Sequence, residues 1–353
     1  MKVKNVGILT GGGDCPGLNA VIRTVYKTLK THKTNVIGIL DGFEGLIEGK
    51  YKELLPSDIS GILHRGGTII GTSNIADPFK YKDRGNVSGL VVELYKKLEL
   101  DCLVAVGGNG TMDISSKLSK LGMRIMGIPK TIDNDLEETD ICFGFDTAVQ
   151  VVSQAIDALH STADSHHRIM VVETMGRTVG WIALYAGVAA GADSILIPEF
   201  PFSFDALSRS IIERYKTSRF TLIAVSEGSR PKDGRVSVSR TVKGSPDPIR
   251  LGGISNYIAR EVERMTGHEA RVTILGHLQR SGSPTAFDRL LATQYAHAAV
   301  EGIYKGKFNA MVALKKGSMT YVPLRKLEGK VRMVPGNHPL INVAKSLNIN
   351  FGI

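Results

Sequence analysis

Short apolar runs that stop abruptly in glycine-rich or charged loops recur along this chain, and helical periodicity follows several of them. Residues 3–10 form such a run, the G-G-G-D-C-P-G stretch at 11–17 turns the chain, and residues 18–29 carry apolar positions at helical spacing. Residues 36–40 form a second run, and 101–106 a third that opens into G-G-N-G-T at 107–111 and a helix from about Met112. A fourth, 124–128, delivers P-K-T-I-D-N-D at 129–135, and R-G-G-T-I-I-G-T-S-N at 65–74 is a further glycine-punctuated loop. Near-continuous apolar strands alternating with helices belong to parallel sheets covered on both faces. Loops at the carboxyl ends of such strands line the crest where a doubly wound sheet takes its ligand.

The chemistry of those loops is narrower than their geometry. Glycines between a strand and a helix let backbone N–H groups approach a phosphate with the positive helix end behind them, although a tight turn needing positive φ uses glycine too. The spacing at 11–17 matches neither the dinucleotide nor the P-loop pattern, which leaves a phosphate loop of unspecified kind. Asp133 and Asp135 stand one residue apart at a strand exit, where hydroxyl, amide and acid groups can reach a substrate. Asp and Asn are also ordinary turn formers, so the recurrence of loops weighs more than this loop alone.

The second half repeats the pattern with different side chains. Runs at 168–172, 194–197, 221–225 and 271–275 read as strands, and their exits carry the E-T-M-G-R stretch at 173–177, Glu199, Glu227, and the group His277, Gln279 and Arg280. Acidic and basic groups together at strand ends suit an anionic, hydroxyl-bearing ligand, with arginine gripping phosphate in bidentate fashion. Residues 226–251, rich in Pro, Gly, Lys and Ser, read as an exposed excursion. His160, His166 and His167 have no acid or cysteine at ligand spacing, so no metal site is expected of them.

Length and charge exclude several classes. At 353 residues the chain has room for roughly two domains of ordinary size. The net charge of +10 is spread without a basic block or interleaved aromatics, which argues against nucleic acid and for anionic small molecules. Cys15, Cys102 and Cys142 show no paired spacing, so a reduced, cytoplasmic protein without disulfides is expected. The apolar stretch 181–197 is broken by Gly187, Gly191 and Asp193 well short of a membrane span, so no membrane association is expected.

Taken in order, G-G-D-C-P-G-L-N, R-G-G-T, G-G-x-G-T, P-K-T-I-D-N-D, M-G-R at 175–177 and L-G-H-L-Q-R-S-G-S-P resemble the motifs of the phosphofructokinase family, over nearly the whole chain from Val6 to about Ala313. The resemblance implies an α/β fold of two Rossmann-like lobes with mainly parallel sheets and an active-site cleft between them. The donor-phosphate lobe would comprise 1–143, with about 279–325 returning to it, and the sugar-phosphate lobe 144–278 with about 326–353. The reaction implied is phosphoryl transfer from MgATP to the 1-hydroxyl of fructose 6-phosphate, giving fructose 1,6-bisphosphate in glycolysis. The alternatives are the same transfer from pyrophosphate, and a sugar-phosphate-binding regulatory subunit with little catalysis.

Residue by residue, the resemblance makes Asp133 the base that takes the 1-hydroxyl proton, Thr131 a contact to the sugar and the transferring phosphoryl, and Asp135 a holder of the magnesium waters. Met175, Gly176 and Arg177 would line the sugar, with Arg177 facing the charge of transfer, and Glu227 would accept a sugar hydroxyl. His277 and Arg280 would bind the 6-phosphate. Arg168 and Arg271 would reach into a neighbouring subunit's site, which implies a homo-oligomer, dimer or tetramer. Gly12 and Gly13 match the phosphate loop, and Gly107, Gly108, Asn109, Gly110 and Thr111 the nucleotide loop.

Two positions depart from the family pattern. Asn109 stands where an acidic residue usually organises Mg2+, and Asn74 where an arginine usually links the two phosphates, so the donor side is the altered one. Pyrophosphate users are expected to carry Asp at the position of Gly110, which leaves room here for a nucleotide; Lys130 occurs with pyrophosphate users and with a group of ATP users. Arg23 is present on the helix face that binds allosteric nucleotide in bacterial members, but Lys27 and His160 replace its partners, so such regulation is expected to be weak or absent.

Overall fold

The structure is a computed structural model that describes residues 2–232, 234, 238–241 and 249–353, with only the backbone described for 238–241 and 249–250. The chain opens with β1 (Asn5–Thr10), α1 (Leu18–Thr31), β2 (Asn35–Ile39), α2 (Phe43–Glu48), β3 (Tyr51–Glu53), α3 (Pro56–Ile59) and α4 (Ser88–Lys97). Then come β4 (Cys102–Gly107), α5 (Asn109–Ser119), β5 (Ile125–Pro129), α6 (Phe145–His166), β6 (Ile169–Thr174), α7 (Trp181–Ala189), β7 (Ser194–Leu196) and α8 (Phe204–Arg214). The remainder is β8 (Thr221–Ser226), β9 (Val238–Thr241), β10 (Ile249–Leu251), α9 (Ile254–Thr266), β11 (Ala270–Ile274), α10 (Ala286–Tyr304), β12 (Ala310–Lys315), β13 (Ser318–Pro323) and α11 (Pro339–Ser346).

Two sheets carry the architecture. The first has the order β13-β12-β5-β4-β1-β2-β3, parallel except where β3 and β13 close its two edges in antiparallel pairing. The second, β11-β6-β8-β7, is parallel throughout. Every residue of β4, β5, β6 and β8 is buried, as strands covered by helices on both faces must be. In the first sheet β1 pairs β2 on one side and β4 on the other, so the chain runs away from β1 in both directions. That reversal opens a crevice at the carboxyl ends of β1 and β4, the two strands that end in glycine loops.

One apolar cluster runs from the first sheet through α1, α6 and α10 to the second, with Phe143, Phe145, Trp181 and Tyr295 inside it. After β13 the chain crosses back: Trp181 Nε1 donates to the Arg332 carbonyl at 2.9 Å, and Ile195 N donates to the Asn350 carbonyl at 2.8 Å.

Most strands lie within a residue or two of their sequence expectation, but two readings change. Helix α5 starts at Asn109, three residues before Met112, so Asn109, Gly110 and Thr111 are its first turn and not a preceding loop. The start of the expected excursion at 226–251 is interior: Ser226, Gly228, Ser229 and Pro231 are buried, and Ser229 Oγ donates to the Leu196 carbonyl at 2.9 Å. Small residues are needed there because a Cβ on Gly228 would strike the Arg177 carbonyl. Farther along, β9 and β10 pair antiparallel, and the rest of that stretch lies outside the described residues.

Candidate active site

The glycine loop after β1 is pinned by main-chain bonds: Gly11 N donates to the Val106 carbonyl at 2.9 Å and Gly12 N to the Ser73 carbonyl at 3.1 Å. Gly12 has φ 78°, which a side chain would strain. A Cβ on Gly11 or Gly107 would collide with the Thr111 hydroxyl, so the two glycines let the loops after β1 and β4 close around Thr111. Asn74 is exposed on the rim, and the space a Cβ on Gly110 would occupy is open.

Two cations reach this loop. Lys130, buried at the exit of β5, donates from Nζ to the Gly13 carbonyl, and Arg280 donates to the Asp14 carbonyl at 3.0 Å. A Cβ on Gly13 would run into the Arg280 guanidinium. Burial, aided by the Arg280 charge, pushes the Lys130 ammonium below its ordinary pKa, while Cys15, Asp133 and Asp135 oppose the shift.

The loop after Lys130 is tightly turned. Asp133 N donates to Thr131 Oγ1 at 3.0 Å, and Asn134, in the left-handed region with φ 53°, accepts at Oδ1 from Cys142 N at 3.0 Å. Asparagine tolerates the left-handed turn that separates the two aspartates better than most side chains. Asp133 Oδ1 is buried with no partner among the described residues. Burial, and then the Asp135 charge, push the Asp133 carboxyl up to about 6 against the pull of Arg280, Lys130 and Arg177. Asn109 Nδ2 donates to Asp135 Oδ2 at 2.8 Å, so an amide here cross-links α5 to the acidic loop.

Facing these groups is the crest of the second sheet. Gly176 has φ 144° and Arg177 φ 52°, a turn that exposes Arg177 and lets its N–H donate to Glu227 Oε1 at 3.1 Å. Met175 N donates to Oε1 of Gln279, which is fully buried and ties the loop after β6 to the one after β11. Burial pushes Glu227 up to about 7, with Asp133 and Glu173 adding to the rise and the Arg177 N–H and Arg280 opposing it. His277 is exposed beside Arg280.

Asp135, Lys130, Arg177, Glu227 and Arg280 thus all fall within electrostatic reach of Asp133, although they come from two sheets. Arg168 and Arg271 do not join them. Both lie at the amino ends of β6 and β11 and bind Glu269, Arg168 through Nε at 2.6 Å. From Arg168 to the carboxyl end of β6 is six residues, about 20 Å of extended chain. A cavity of about 860 Å³ beside Asp193, Arg214 and Thr221 likewise opens at the amino ends of β7 and β8, away from the acidic loop.

Glu199 accepts at Oε1 from Gly180 N at 3.1 Å and Val334 N at 2.9 Å, so it fastens backbone around the site. Arg332 and Trp181, which sequence reasoning did not single out, touch the acidic loop and its surroundings. No strand-exit signal marks Arg332, because it acts from a connecting segment. Among the described residues no three His, Cys, Asp or Glu side chains form a metal cage. Two carboxylates, one with an unpartnered buried oxygen, fit a magnesium ion that arrives on substrate phosphates and keeps most of its ligands there.

A family model described as phosphofructokinase matches residues 5–303. The chain belongs to the phosphofructokinase family. ATP-dependent 6-phosphofructokinase 2 of Clostridium perfringens is 46% identical over 360 residues, covering 99% of this chain and 98% of that one. Pyrophosphate–fructose 6-phosphate 1-phosphotransferase of Amycolatopsis methanolica is 44% identical over 331 residues, covering 94% and 96%. Among solved structures, pyrophosphate-dependent phosphofructokinase of Marinobacter aquaeolei superposes with a TM-score of 0.83 at 21% identity, over 99% of this chain and 88% of that one. Family membership therefore stands on sequence and fold together, and relatives of both donor types share it.

Proposed function

We propose that this chain is a 6-phosphofructokinase, moving the γ-phosphoryl group of MgATP onto the 1-hydroxyl of fructose 6-phosphate. The observation that carries the reading is the buried Asp133 carboxylate, with one oxygen unpartnered, between a glycine-lined phosphate crevice and a crest bearing Arg177, Glu227 and Arg280. Asp133 takes the proton of the 1-hydroxyl as its oxygen forms a bond to the γ-phosphorus, and the bond to ADP breaks. Arg177 faces the charge that builds on the transferring group, and Thr131 contacts that group and the sugar. Glu227 accepts a sugar hydroxyl, Met175 and Gly176 line the sugar, and Arg280 and His277 hold its phosphate.

On the donor side Gly12, Gly13 and Gly107 to Thr111 cradle the phosphates, while Asn109 and Asp135 face the magnesium that arrives with them. Open space at Gly110 supports a nucleotide, as does the Clostridium relative's ATP dependence. Lys130, buried against the phosphate loop, is the observation that favours pyrophosphate as the second reading. A division into a donor lobe, 1–143 with 279–325, and a sugar lobe, 144–278 with 326–353, follows the same roles. Arg168 and Arg271, too far from this crest to serve it, serve the site of a second copy in a homo-oligomer, dimer or tetramer. The cytoplasm is the compartment that suits the reaction.

The deciding experiment offers purified protein MgATP and pyrophosphate separately, with fructose 6-phosphate, in an assay coupled to fructose 1,6-bisphosphate. MgATP is expected to support turnover and pyrophosphate to be a poor substitute. Turnover with pyrophosphate and none with MgATP would transfer the assignment to the second reading.

A further inference from the structure

The connection between β13 and α11 passes over the acidic loop, and one of its residues holds that loop at two points. Arg332 N donates to the Asp135 carbonyl at 2.8 Å, and its guanidinium donates to the Asn134 carbonyl at 3.4 Å. Those two carbonyls belong to the peptide planes on either side of the Asp135 side chain, so Arg332 fixes where that carboxylate points. Asn134, with φ 53°, passes the constraint back to Asp133, since its side chain is already tied to Cys142 N.

What seats Arg332 comes from the other sheet. Its guanidinium lies 4.5 Å from the ring centre of Trp181, and the Trp181 indole N–H donates to the Arg332 carbonyl at 2.9 Å. Trp181 is 1% exposed and opens α7, four residues after Arg177. Glu199 fastens the same junction again, joining Gly180 N to Val334 N. A planar guanidinium can stack on indole and donate in its own plane at the same time, whereas an ammonium carries its charge without that geometry.

We propose that Arg332, seated by Trp181, is a positioning residue that sets the orientation of the Asp133 and Asp135 carboxylates and couples it to the Met175–Arg177 turn. The inference rests on the reading of Asp133 as the catalytic base. Arg332 itself touches only backbone of the acidic loop, so its effect falls on the geometry of transfer more than on sugar binding.

Trp181 is the chain's single tryptophan, so its emission reports on the clamp directly. Full-length wild type, Arg332→Lys, Arg332→Ala and Trp181→Phe are compared by kcat, fructose 6-phosphate KM and thermal unfolding, and the tryptophan-bearing forms by emission with and without saturating fructose 6-phosphate or MgATP. Both Arg332 variants are expected to lose at least about tenfold in kcat with sugar KM changed less than about threefold. Arg332→Lys should resemble Arg332→Ala, and Trp181→Phe, which keeps a ring and loses the N–H, should fall between them and wild type. The ligand-induced emission change of wild type should vanish in both Arg332 variants while calorimetry still detects ligand binding.

Wild-type kcat in Arg332→Lys, or an emission response that survives in either Arg332 variant, would overturn the proposal. So would losses of kcat that follow the fall in Tm alone. An inactive wild type would strike the functional reading, and the emission response to MgATP would still decide the coupling.

Discussion

The two crests that face each other across the cleft are built from different materials. On the first sheet the surface is mostly backbone, with Gly13 and Gly107 leaving no room for a Cβ and Gly12 in a left-handed conformation. On the second it is mostly side chain: Arg177, Glu227, Gln279 and Arg280, the last three each held by a hydrogen bond to a neighbouring loop. A phosphate chain offers oxygens that main-chain N–H groups can hold at a helix start, whereas a sugar's hydroxyls must be met one at a time by groups of defined direction. On the proposed roles, the donor crest should tolerate change in side chains such as Asn74 and Asn109 more readily than change in its glycines. The acceptor crest should show the reverse.

Asp133 stands between the crests, and replacing it gives the largest effect expected. Asp133→Asn should lower kcat by at least about 10²-fold with sugar binding nearly intact, as for loss of a positioned general base. The same variant should unfold at a higher temperature near neutral pH. Folding disfavours the charged carboxylate, since its pKa rises from 3.8 to about 6, and the amide removes a penalty that is present above that range. Turnover above half of wild type at saturating substrates would exclude Asp133 as base.

On the acceptor crest, Arg280→Ala should raise the sugar-phosphate KM by about 10- to 100-fold, the equivalent of roughly 1.5–3 kcal/mol for a charge-assisted contact. The structure adds a sharper expectation, because Arg280 also holds the Asp14 carbonyl in the donor loop. Donor KM should therefore rise severalfold as well, and an unchanged donor KM would restrict Arg280 to the sugar side.

Gly110→Asp tests the donor crest. It places a carboxylate in open space on the first turn of α5, where the α-phosphate of a nucleotide would pass, and should cut kcat/KM for ATP by about tenfold or more. Equal activity with ATP in the variant would remove Gly110 from the nucleotide path.

The pH profile reads both crests at once. A base must be ionised to act, so kcat/KM should fall as pH drops through about 6, where Asp133 protonates. Glu227, pushed up to about 7, should add a shallower decline in sugar affinity that begins at higher pH and disappears in Glu227→Gln. The smallest effect belongs to Asn109→Asp. Its carboxylate would replace the amide that now donates to Asp135, leaving adjacent acids that need a cation, so the magnesium concentration for half-maximal rate should fall, by only a few-fold. A magnesium titration checks it; weaker activation in the variant would mean the Asn109 amide belongs to a different donor geometry.

Sequence alone determined the strand exits. Apolar runs that end in glycine or acid are legible because burial on both faces leaves few polar residues inside β5 and β8, and so Asp133, Glu227 and the glycine loops could be named, with Arg280 beyond the partly exposed β11. It misjudged the start of α5 and the interior of 226–231, since a glycine-rich helix turn and a buried serine turn carry the same composition as a surface loop. Tertiary structure alone decided which exits share a cleft, and it set Arg168 and Arg271 apart from the rest. It also brought in Arg332 and Trp181, whose contacts around the site span 197 and 151 positions of chain respectively. Local pattern carries no record of such pairings, because they depend on how two sheets pack and not on any residue's neighbours in sequence.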